Sequence, residues 1–253
     1  MNRVVFLDYD GVVNRKMWSK VDGEWVCRYG YPEDGMVNDL QAVQWVSEFC
    51  EKYGYDIVVT STWRKYPEWE ACLRGAGLRD TVKILGATAL PPKDRAEEIS
   101  EYLAAHPDVD AYLVFDDNSS LLFSDVDGSV VGSSGVHSDN LVLTSAERGF
   151  GEEEYNTAVA LHLKQKYRSS PDASRSFVES RDLKGLLNAG IELLYSVGEI
   201  SSSLLQRSFE IGYGRAMEVL DTLVEKGIAM RKNRNGATKY LPLIEYEEAK
   251  AKI

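Results

Sequence analysis

Two aspartates, Asp8 and Asp10, are the first residues of the chain whose types and spacing could do chemistry. They follow residues 3–7, an apolar run rich in β-branched side chains that is typical of a buried parallel strand. Because strand side chains alternate faces, both carboxylates point the same way if the backbone stays extended. Two adjacent carboxylates repel unless a cation or a shared proton lies between them, and Gly11 lets the backbone turn close to a ligand. The stretch therefore predicts a hard divalent cation at the carboxyl end of a strand.

Two later apolar runs also end in polar side chains, hydroxyls in the first and acids in the second: Thr60 and Ser61, then Asp116 and Asp117. A hydroxyl at the carboxyl end of a strand can donate to a ligand oxygen, although it could instead cap the next element. Thr60 is preferred to Ser61 because it continues directly from the apolar run. A second Asp-x-Asp-Gly, at residues 125–128, is explained by a hairpin turn and is left out of the site.

Lys93 precedes a helix that the apolar spacing predicts over residues 95–106. Its ammonium group and the positive end of the helix dipole would both favour an anion. A single lysine before a helix is usually just solvated. Lys93 therefore becomes a candidate only in the company of the carboxylates and hydroxyls.

Strands and helices alternate through the first two thirds of the sequence. Further helices are predicted over residues 34–53, 68–76 and 152–167, and a last strand over residues 141–144. This alternation is typical of parallel βαβ units, so the predicted fold class is α/β with a Rossmann-like parallel sheet. Residues 14–31, rich in aromatic side chains around Asp22-Gly23, predict a hairpin. It could be a flap over the site or a surface hairpin with no part in the chemistry.

Beyond residue 167 the pattern changes. Residues 168–181 are rich in serine without clear periodicity and predict a linker. Three helices and a hairpin follow, which is the arrangement of a small winged helix-turn-helix. Their predicted ranges are residues 182–195, 200–209 and 215–226 for the helices, with 228–231 and 239–241 for the hairpin. The predicted domains are residues 1–167, the linker, residues 182–241 and a C-terminal tail at residues 242–253.

The 253 residues carry a net charge of −11 that is spread unevenly. Residues 181–253 hold 11 basic and 10 acidic side chains, so the first 180 residues hold 18 and 30. An acidic first body would not by itself seek nucleic acid, so two bodies with different partners are expected. Three cysteines without metal-ligand spacing indicate reduced thiols in a cytoplasmic protein, and three scattered histidines disfavour zinc. No stretch has the pattern of a membrane span or a signal peptide.

The ordered set of carboxylate pair, hydroxyl, lysine and second acid pair resembles the haloacid dehalogenase (HAD) superfamily of phosphotransferases, over about residues 1–165. The resemblance implies that Asp8 attacks phosphorus and becomes an aspartyl-phosphate, while Asp10 protonates the leaving alcohol and then activates water. Thr60 and Lys93 would hold phosphoryl oxygens. An acid at position 10 suits a phosphatase and is not what the dehalogenases carry. Mg²⁺ is the implied cofactor, and its implied ligands are Asp8, the backbone carbonyl of Asp10, Asp117 and, in support, Asp116.

The gaps between these motifs predict a HAD domain with little or no cap. Only the aromatic hairpin lies between Asp10 and the first long helix, and Thr60 and Lys93 are too close together for a substantial insertion. An open site can admit a large substrate such as a macromolecular end, whereas small-metabolite enzymes more often seal theirs. Residues 6–14 and 61–64 further resemble a subgroup of small HAD domains found with RNA- and DNA-repair modules.

Residues 204–216 read Leu-Leu-Gln-Arg-Ser-Phe-Glu-Ile-Gly-Tyr-Gly-Arg-Ala. Over about residues 182–241 the sequence looks like the gamma domain of the FtsK/SpoIIIE DNA translocases, a winged helix that reads short oriented chromosomal sequences. Gly214 stands where that family commonly has asparagine. The sequence contains no Gly-x-x-x-x-Gly-Lys-Ser/Thr loop of a translocase ATPase.

Basic residues of the winged helix are the candidates for binding DNA. Arg207 and Arg215 flank the turn into the recognition helix, and Lys232, Arg234 and Lys239 make the wing basic. Arginine on a recognition helix can read guanine in the major groove, whereas wing cations mainly contact phosphates. The alternative is a winged helix used for protein contact or dimerisation, which its net charge near zero leaves open.

Together these observations predict a Mg²⁺-dependent HAD phosphatase tethered by its winged helix to double-stranded DNA. A nucleic-acid phosphate end is the favoured substrate. One alternative is a DNA-binding regulator whose HAD domain senses a ligand without turnover. Another is a small-metabolite phosphatase that uses the winged helix only to oligomerise.

Overall fold

Two compact units make up the chain, Met1–Ala158 and Val159–Ile253. The computed structural model describes residues 2–21, 23–29, 39–89, 94–121, 136, 138–168, 183–234 and 237–253. Lys93, the second Asp-x-Asp-Gly at residues 125–128 and linker residues 169–181 lie outside the described residues.

Strands and helices alternate in the first unit as the apolar periodicity predicts. In chain order they are β1 (Asn2–Leu7), β2 (Met17–Val21), β3 (Glu24–Arg28), α1 (Leu40–Tyr53), β4 (Tyr55–Val59), α2 (Trp69–Gly75), β5 (Ile84–Ala87), α3 (Arg95–Ala105), β6 (Val109–Asp116), β7 (Leu141–Leu143) and α4 (Glu152–Arg168). The last of these, α4, begins in the first unit and continues past Ala158 into the second. The strands β2 and β3 pair as an antiparallel hairpin. The hairpin predicted from the aromatic segment is thus confirmed.

Five strands form one parallel sheet in the order β5-β4-β1-β6-β7. From β1 the chain builds outward through β4 to β5 and then returns to β6 on the other side of β1. The direction of strand addition therefore reverses between β1 and β6, and such a reversal opens a crevice at the carboxyl ends of the strands. Residues 4–7 of β1 are all buried, as expected for a central strand covered on both faces.

Helix ends in this unit follow from local sequence. Asp39 caps α1 by accepting from the backbone N–H of Gln41 at 2.9 Å, and Gly54 ends it in the left-handed conformation with φ 68°. Asp94 caps α3 in the same way, accepting from the N–H of Ala96 at 3.0 Å. The Asp94 cap therefore fixes the start of α3 at Arg95.

The second unit contains three helices followed by a hairpin. Its elements are α5 (Leu183–Val197), α6 (Ser202–Phe209), α7 (Tyr213–Glu225), β8 (Ala229–Arg234), β9 (Ala237–Pro242) and α8 (Tyr246–Ala251). Ile200 pairs with Tyr240 through two backbone hydrogen bonds, at 2.9 and 2.8 Å, which form an isolated β-bridge beside the two-stranded wing. Gly190 of α5 lets α7 come close, because a Cβ there would lie 3.2 Å from Val219 Cγ1.

The predicted fold class, an α/β parallel sheet with a C-terminal winged helix, is confirmed. Two elements were not foreseen: the edge strand β5 and the helix α8 within the predicted tail. Both are short, with four and six residues, which leaves little periodicity to detect. None of the described helices combines the length and the apolarity needed to cross a membrane.

Candidate active site

Three carboxylates meet at the carboxyl ends of β1 and β6. Asp8 directly follows β1, and its backbone N–H donates to the carbonyl oxygen of Phe115 at 3.0 Å. Asp116 ends β6 and Asp117 comes next. One carboxylate oxygen from each of the three aspartates lies within 4.8 Å of the other two. The fold thus brings together acids that lie over a hundred positions apart in the sequence.

Arg95, the first residue of α3, reaches the same cluster. Its Nη1 lies 2.8 Å from Asp8 Oδ2 and also contacts Asp116 Oδ2. One guanidinium therefore faces three carboxylates, and the cluster keeps a net negative charge when all of them are ionised. Sequence reasoning missed Arg95. The signal available in the sequence was a second basic residue at the start of the helix, two positions after Lys93. Lys93 itself lies outside the described residues.

Burial and crowding set the protonation of this cluster. Burial, and after it the charge of Asp8, raises the pKa of Asp116 to about 6, against the lowering effect of Arg95 and of the Asn118 N–H. Burial also raises the pKa of Asp117 above its usual range. Burial disfavours the charged guanidinium of Arg95, but the neighbouring carboxylates outweigh it and its pKa rises. Such shifts are typical of a site with more negative than positive charge.

A tight turn at Gly11 brings the backbone against Asp117. The Tyr9 carbonyl oxygen accepts from the Asn14 N–H at 2.8 Å, and the Gly11 N–H donates to the Asn14 carbonyl oxygen at 2.9 Å. Gly11 has φ 78°, and a Cβ built on it would lie 2.1 Å from Asp117 Oδ2. Its carbonyl oxygen accepts from the buried Thr144 hydroxyl at 2.6 Å. Only glycine meets both demands, the left-handed backbone and the close approach of Asp117.

Asp10 lies beside the cluster and is held through one oxygen. Its Oδ1 accepts from Asn14 Nδ2 at 2.6 Å and from the indole Nε1 of Trp63 at 3.0 Å. Burial raises the pKa of Asp10 even though both hydrogen bonds act to lower it. A carboxyl group that is easier to protonate is suited to general acid chemistry.

Thr60 and Ser61, which the sequence left as alternatives, take different positions. The Thr60 N–H donates to the Leu7 carbonyl oxygen at 3.0 Å, which sets Thr60 next to the end of β1. Its buried hydroxyl has no hydrogen-bond partner within the described part of the chain. Ser61 Oγ instead accepts from the backbone N–H of Trp63 at 3.3 Å and caps the short helical turn Thr62–Lys65. Ser61 therefore has a local structural role, and the Thr60 hydroxyl is left for another partner.

Comparison with known protein families agrees with this geometry. Residues 4–155 match the family described as "HAD domain in Swiss Army Knife RNA repair proteins". The chain belongs to this HAD family. Residues 182–239 match the family described as "Ftsk gamma domain", so both resemblances predicted from the sequence are confirmed.

One curated relative also aligns with part of the chain. The DNA translocase FtsK of Clostridium tetani is 30% identical to it over 87 residues. The aligned region covers 34% of this chain and only 10% of the translocase. No solved structure matches the chain.

A buried ion pair stabilises the backbone at Thr60 and Ser61, next to the HAD site. The side chains of Arg64 and Glu98 are only 2% and 4% exposed, and Arg64 Nη2 lies 2.7 Å from Glu98 Oε1. Arg64 Nη1 also donates to the Ser61 carbonyl oxygen at 2.7 Å and contacts that of Thr60. Glu98 accepts in addition from the Thr88 hydroxyl at 2.8 Å. Arg64 thus ties the end of β4 to α3, the helix that begins with the site arginine.

The aromatic hairpin ends at the HAD site. The hydroxyl of Tyr29, the residue after β3, donates to Asp117 Oδ2 at 3.2 Å. The Lys16 ammonium lies 5.4 Å from the centre of the Tyr29 ring, within the range of a cation–π contact. Of the two interpretations of the hairpin, this contact favours the one in which it takes part in the site.

Two of the predicted DNA-binding side chains are exposed. Arg207 lies on α6 and Lys232 on β8, and both side chains face solvent. Arg234 ends β8, and only its backbone is described. Exposed long cations can adjust to a phosphate backbone without a large loss of packing.

The other two candidates form ion pairs within the winged helix. Arg215 lies on the first turn of α7, and its Nη1 is 2.5 Å from Glu218 Oε2. Lys239 lies on β9, and its Nζ is 3.0 Å from Glu199 Oε1. Both pairs are partly exposed, so each is expected to be weak and replaceable by a phosphate contact.

Proposed function

We propose that this protein is a Mg²⁺-dependent phosphatase that acts through an aspartyl-phosphate on Asp8. The observation that carries the proposal is the meeting of Asp8 with Asp116, Asp117 and Arg95 at one point of the sheet edge. A carboxylate nucleophile divides one difficult displacement at phosphorus into two easier steps. Membership of the HAD family supports hydrolase activity in general.

The acidic cluster fits Mg²⁺ as the cofactor. Its donors are carboxylate oxygens, which hard cations prefer, and its net negative charge favours a divalent ion. Asp8, Asp116 and Asp117 would hold the ion, with the backbone carbonyl of Asp10 as a further oxygen. When bound, the ion supplies positive charge that lowers the repulsion between Asp8 and an incoming phosphate.

The chain's own residues would divide the reaction as follows. A carboxylate oxygen of Asp8 attacks phosphorus while Asp10 gives a proton to the leaving oxygen, and Asp10 later takes a proton from the attacking water. The Thr60 hydroxyl and the Arg95 guanidinium would hold phosphoryl oxygens and stabilise charge on the group in transfer. Lys93 is proposed for the same role as Arg95.

We favour a nucleic-acid phosphate end as the substrate. Among the described residues only the β2–β3 hairpin lies between Asp10 and α1, and only a helical turn and α2 lie between Thr60 and β5. An uncapped site can admit the end of a polymer. The family's description as part of RNA repair proteins points in the same direction.

The winged helix would hold the enzyme on double-stranded DNA. The match to the Ftsk gamma domain supports DNA binding in general. Arg207 and Arg215 would face the groove, while Lys232, Arg234 and Lys239 would contact phosphates. Attachment through the serine-rich segment 168–181 would raise the effective concentration of the HAD site near its substrate.

The test is a phosphate-release screen with the full chain, with Mg²⁺ and with chelator. Nucleotides, sugar phosphates and 3′- and 5′-phosphorylated oligonucleotides serve as substrates. We expect Mg²⁺-dependent release that is largest for an oligonucleotide, and its loss in Asp8→Asn while duplex DNA binding stays unchanged. Equal release by Asp8→Asn would contradict the nucleophile. No release from any substrate, with DNA binding intact, would favour the regulator instead.

A further inference from the structure

Among the described residues, Asp10 receives two side-chain hydrogen bonds, and both reach the same oxygen. Trp63 Nε1 lies 3.0 Å from Asp10 Oδ1, and Asn14 Nδ2 lies 2.6 Å from that atom. An indole N–H and an amide N–H can only donate, so Oδ1 must act as an acceptor in both bonds. When the carboxyl group carries a proton, that proton therefore belongs on Oδ2.

We propose that Trp63 and Asn14 are positioning residues that reserve Oδ2 of Asp10 for proton exchange with the substrate. The inference rests on the proposed phosphatase function and adds two residues to it. Neither side chain is assigned a contact with the reacting phosphoryl group. Each acts through the orientation of Asp10.

Trp63 is held firmly enough for this role. Its side chain is buried, with the residue only 2% exposed, and its ring lies 5.3 Å from the Tyr9 ring. Its backbone N–H donates to Ser61 Oγ at 3.3 Å, and its carbonyl oxygen accepts from the Tyr66 N–H at 2.8 Å. The backbone of Trp63 is therefore fixed on both sides, and the indole cannot turn away from Asp10 without losing its packing against Tyr9.

Asn14 is fixed just as well from the other direction. It is 1% exposed, and its backbone takes part in two hydrogen bonds of the turn that contains Gly11. The two donors thus come from different segments, the turn after β1 and the turn after β4. Donors fixed in this way need no reorganisation during the reaction, which is the condition under which they favour catalysis.

The step that they support is a proton transfer coupled to bond cleavage. As Asp8 forms its bond to phosphorus, the bond from phosphorus to the leaving oxygen breaks and its electron pair stays on that oxygen. The proton on Asp10 Oδ2 moves to the leaving oxygen, and Asp10 becomes a carboxylate. In the second half, water attacks phosphorus, Oδ2 takes a proton from it, and phosphate leaves Asp8.

Two substrates with different leaving groups can distinguish a role in positioning Asp10 from general damage to the active site. The p-nitrophenolate of p-nitrophenyl phosphate leaves without a proton, whereas the alkoxide of glycerol 2-phosphate needs one. Trp63→Phe keeps the ring and removes the N–H. We expect its kcat/KM on glycerol 2-phosphate, which reports the steps up to departure of the leaving group, to fall by about ten- to a hundredfold, the effect of losing one hydrogen bond to a charged group. On p-nitrophenyl phosphate we expect a fall of less than about threefold, because general acid help is not needed.

Two further variants complete the design. Asn14→Ala removes the other donor to the same oxygen and should show the same selective loss, so the idea remains testable if Trp63→Phe folds poorly. Trp45→Phe makes the same chemical change on α1, where the ring packs 5.2 Å from that of Tyr155, and should show no selectivity between substrates.

The outcomes separate this inference from the proposed function. If the wild-type chain is active and the variants lose kcat/KM for both substrates in equal proportion, the positioning role is overturned and the phosphatase remains. If the wild-type chain releases phosphate from neither substrate nor from any oligonucleotide, the proposed function fails and the inference fails with it.

Discussion

The two units of the chain use charge in opposite ways. In the first, charged groups are buried and contact one another: Asp116 is fully buried, and Arg95 lies against it and Asp8. In the second, the basic candidates with described side chains are exposed or form partly exposed ion pairs, as with Lys232 and the Arg215–Glu218 pair. The first arrangement fixes every partner in advance, while the second leaves long side chains free to adjust.

Physical cost explains the difference. Buried charge is expensive to maintain, so a cluster of it is expected where chemistry requires fixed positions. Exposed ion pairs contribute little, about 0–1 kcal/mol, and a winged helix that follows a phosphate backbone needs few fixed charges. Substitutions in the first unit should therefore have large effects on a single reaction, and those in the second should have small and additive effects.

Among variants that keep the nucleophile Asp8, the largest effect is expected from Gly11→Ala. The new Cβ would lie 2.1 Å from Asp117 Oδ2, so Asp117 must leave its place in the acidic cluster. Displacement of a catalytic group by about 1 Å can lower a rate by roughly a hundredfold, and we expect a loss of roughly that size or greater in kcat/KM for phosphate release.

Gly54→Ala is the matched control for this variant. Gly54 has φ 68°, close to the 78° of Gly11, but a Cβ there would meet only Arg3 Nη1 at 3.9 Å. It carries the same left-handed backbone strain without the collision, so it should lower stability by about 1 kcal/mol and leave activity unchanged. Equal activity losses in the two variants would show that backbone strain, and not Asp117, is responsible.

Arg95→Ala should come next, with a fall in kcat/KM of about a hundredfold. The guanidinium contacts both Asp8 and Asp116, and loss of one fixed positive group near a transferring phosphoryl typically has an effect of this order. Arg95→Lys should restore part of the rate, since a single ammonium cannot reproduce the planar fork. Arg79→Ala removes an exposed arginine of the same unit, paired with Glu51, and should leave the rate unchanged. An unaltered rate in Arg95→Ala would assign phosphate binding to Lys93 instead.

Thr60→Val should lower activity by about tenfold and at the same time stabilise the fold. The Thr60 hydroxyl is buried without a hydrogen-bond partner in the described chain, so its removal should raise the free energy of unfolding by about 1 kcal/mol. Thr144→Val is the contrast, because that hydroxyl donates to the Gly11 carbonyl oxygen at 2.6 Å. It should destabilise by about 1–3 kcal/mol in urea unfolding. A destabilised Thr60→Val would mean that the Thr60 hydroxyl has a structural role instead.

Sequence reasoning identified the units because their patterns are long and repeated. The alternating apolar runs predicted the parallel sheet, and the strand-end acids Asp8, Asp116 and Asp117 were predicted to lie together, since parallel strands meet at one edge. The edge strand β5 was missed because it has four residues, exposes Leu85 and bends at Gly86 with φ 126°. Such a segment carries neither strand periodicity nor a continuous apolar run.

Side-chain reach was the part that spacing could not predict. The sequence pointed to Lys93 and not to Arg95, and only the cap at Asp94 and the direction of α3 bring the Arg95 guanidinium to Asp8. The Trp63 N–H on Asp10 was equally hidden, because a tryptophan in a turn usually indicates packing. Contacts of this kind depend on two segments whose relative position no local pattern encodes.

The smallest effect is expected from Lys232→Ala, in the second unit, where this basic side chain is exposed. If Lys232 contacts a phosphate, its loss should weaken duplex DNA binding by about two- to fivefold at 0.1–0.2 M salt, to a similar extent for all sequences. The slope of log Kd against log salt concentration should fall by about one unit, because one fewer counterion is released. Lys226→Ala removes an exposed lysine at the C-terminal end of α7 and should leave the slope unchanged. An identical slope in wild type and Lys232→Ala would remove the wing from the DNA contact, and a slope of zero in the wild-type chain would favour a winged helix that joins proteins. Neither outcome bears on the acidic cluster of the first unit, which is tested separately by phosphate release.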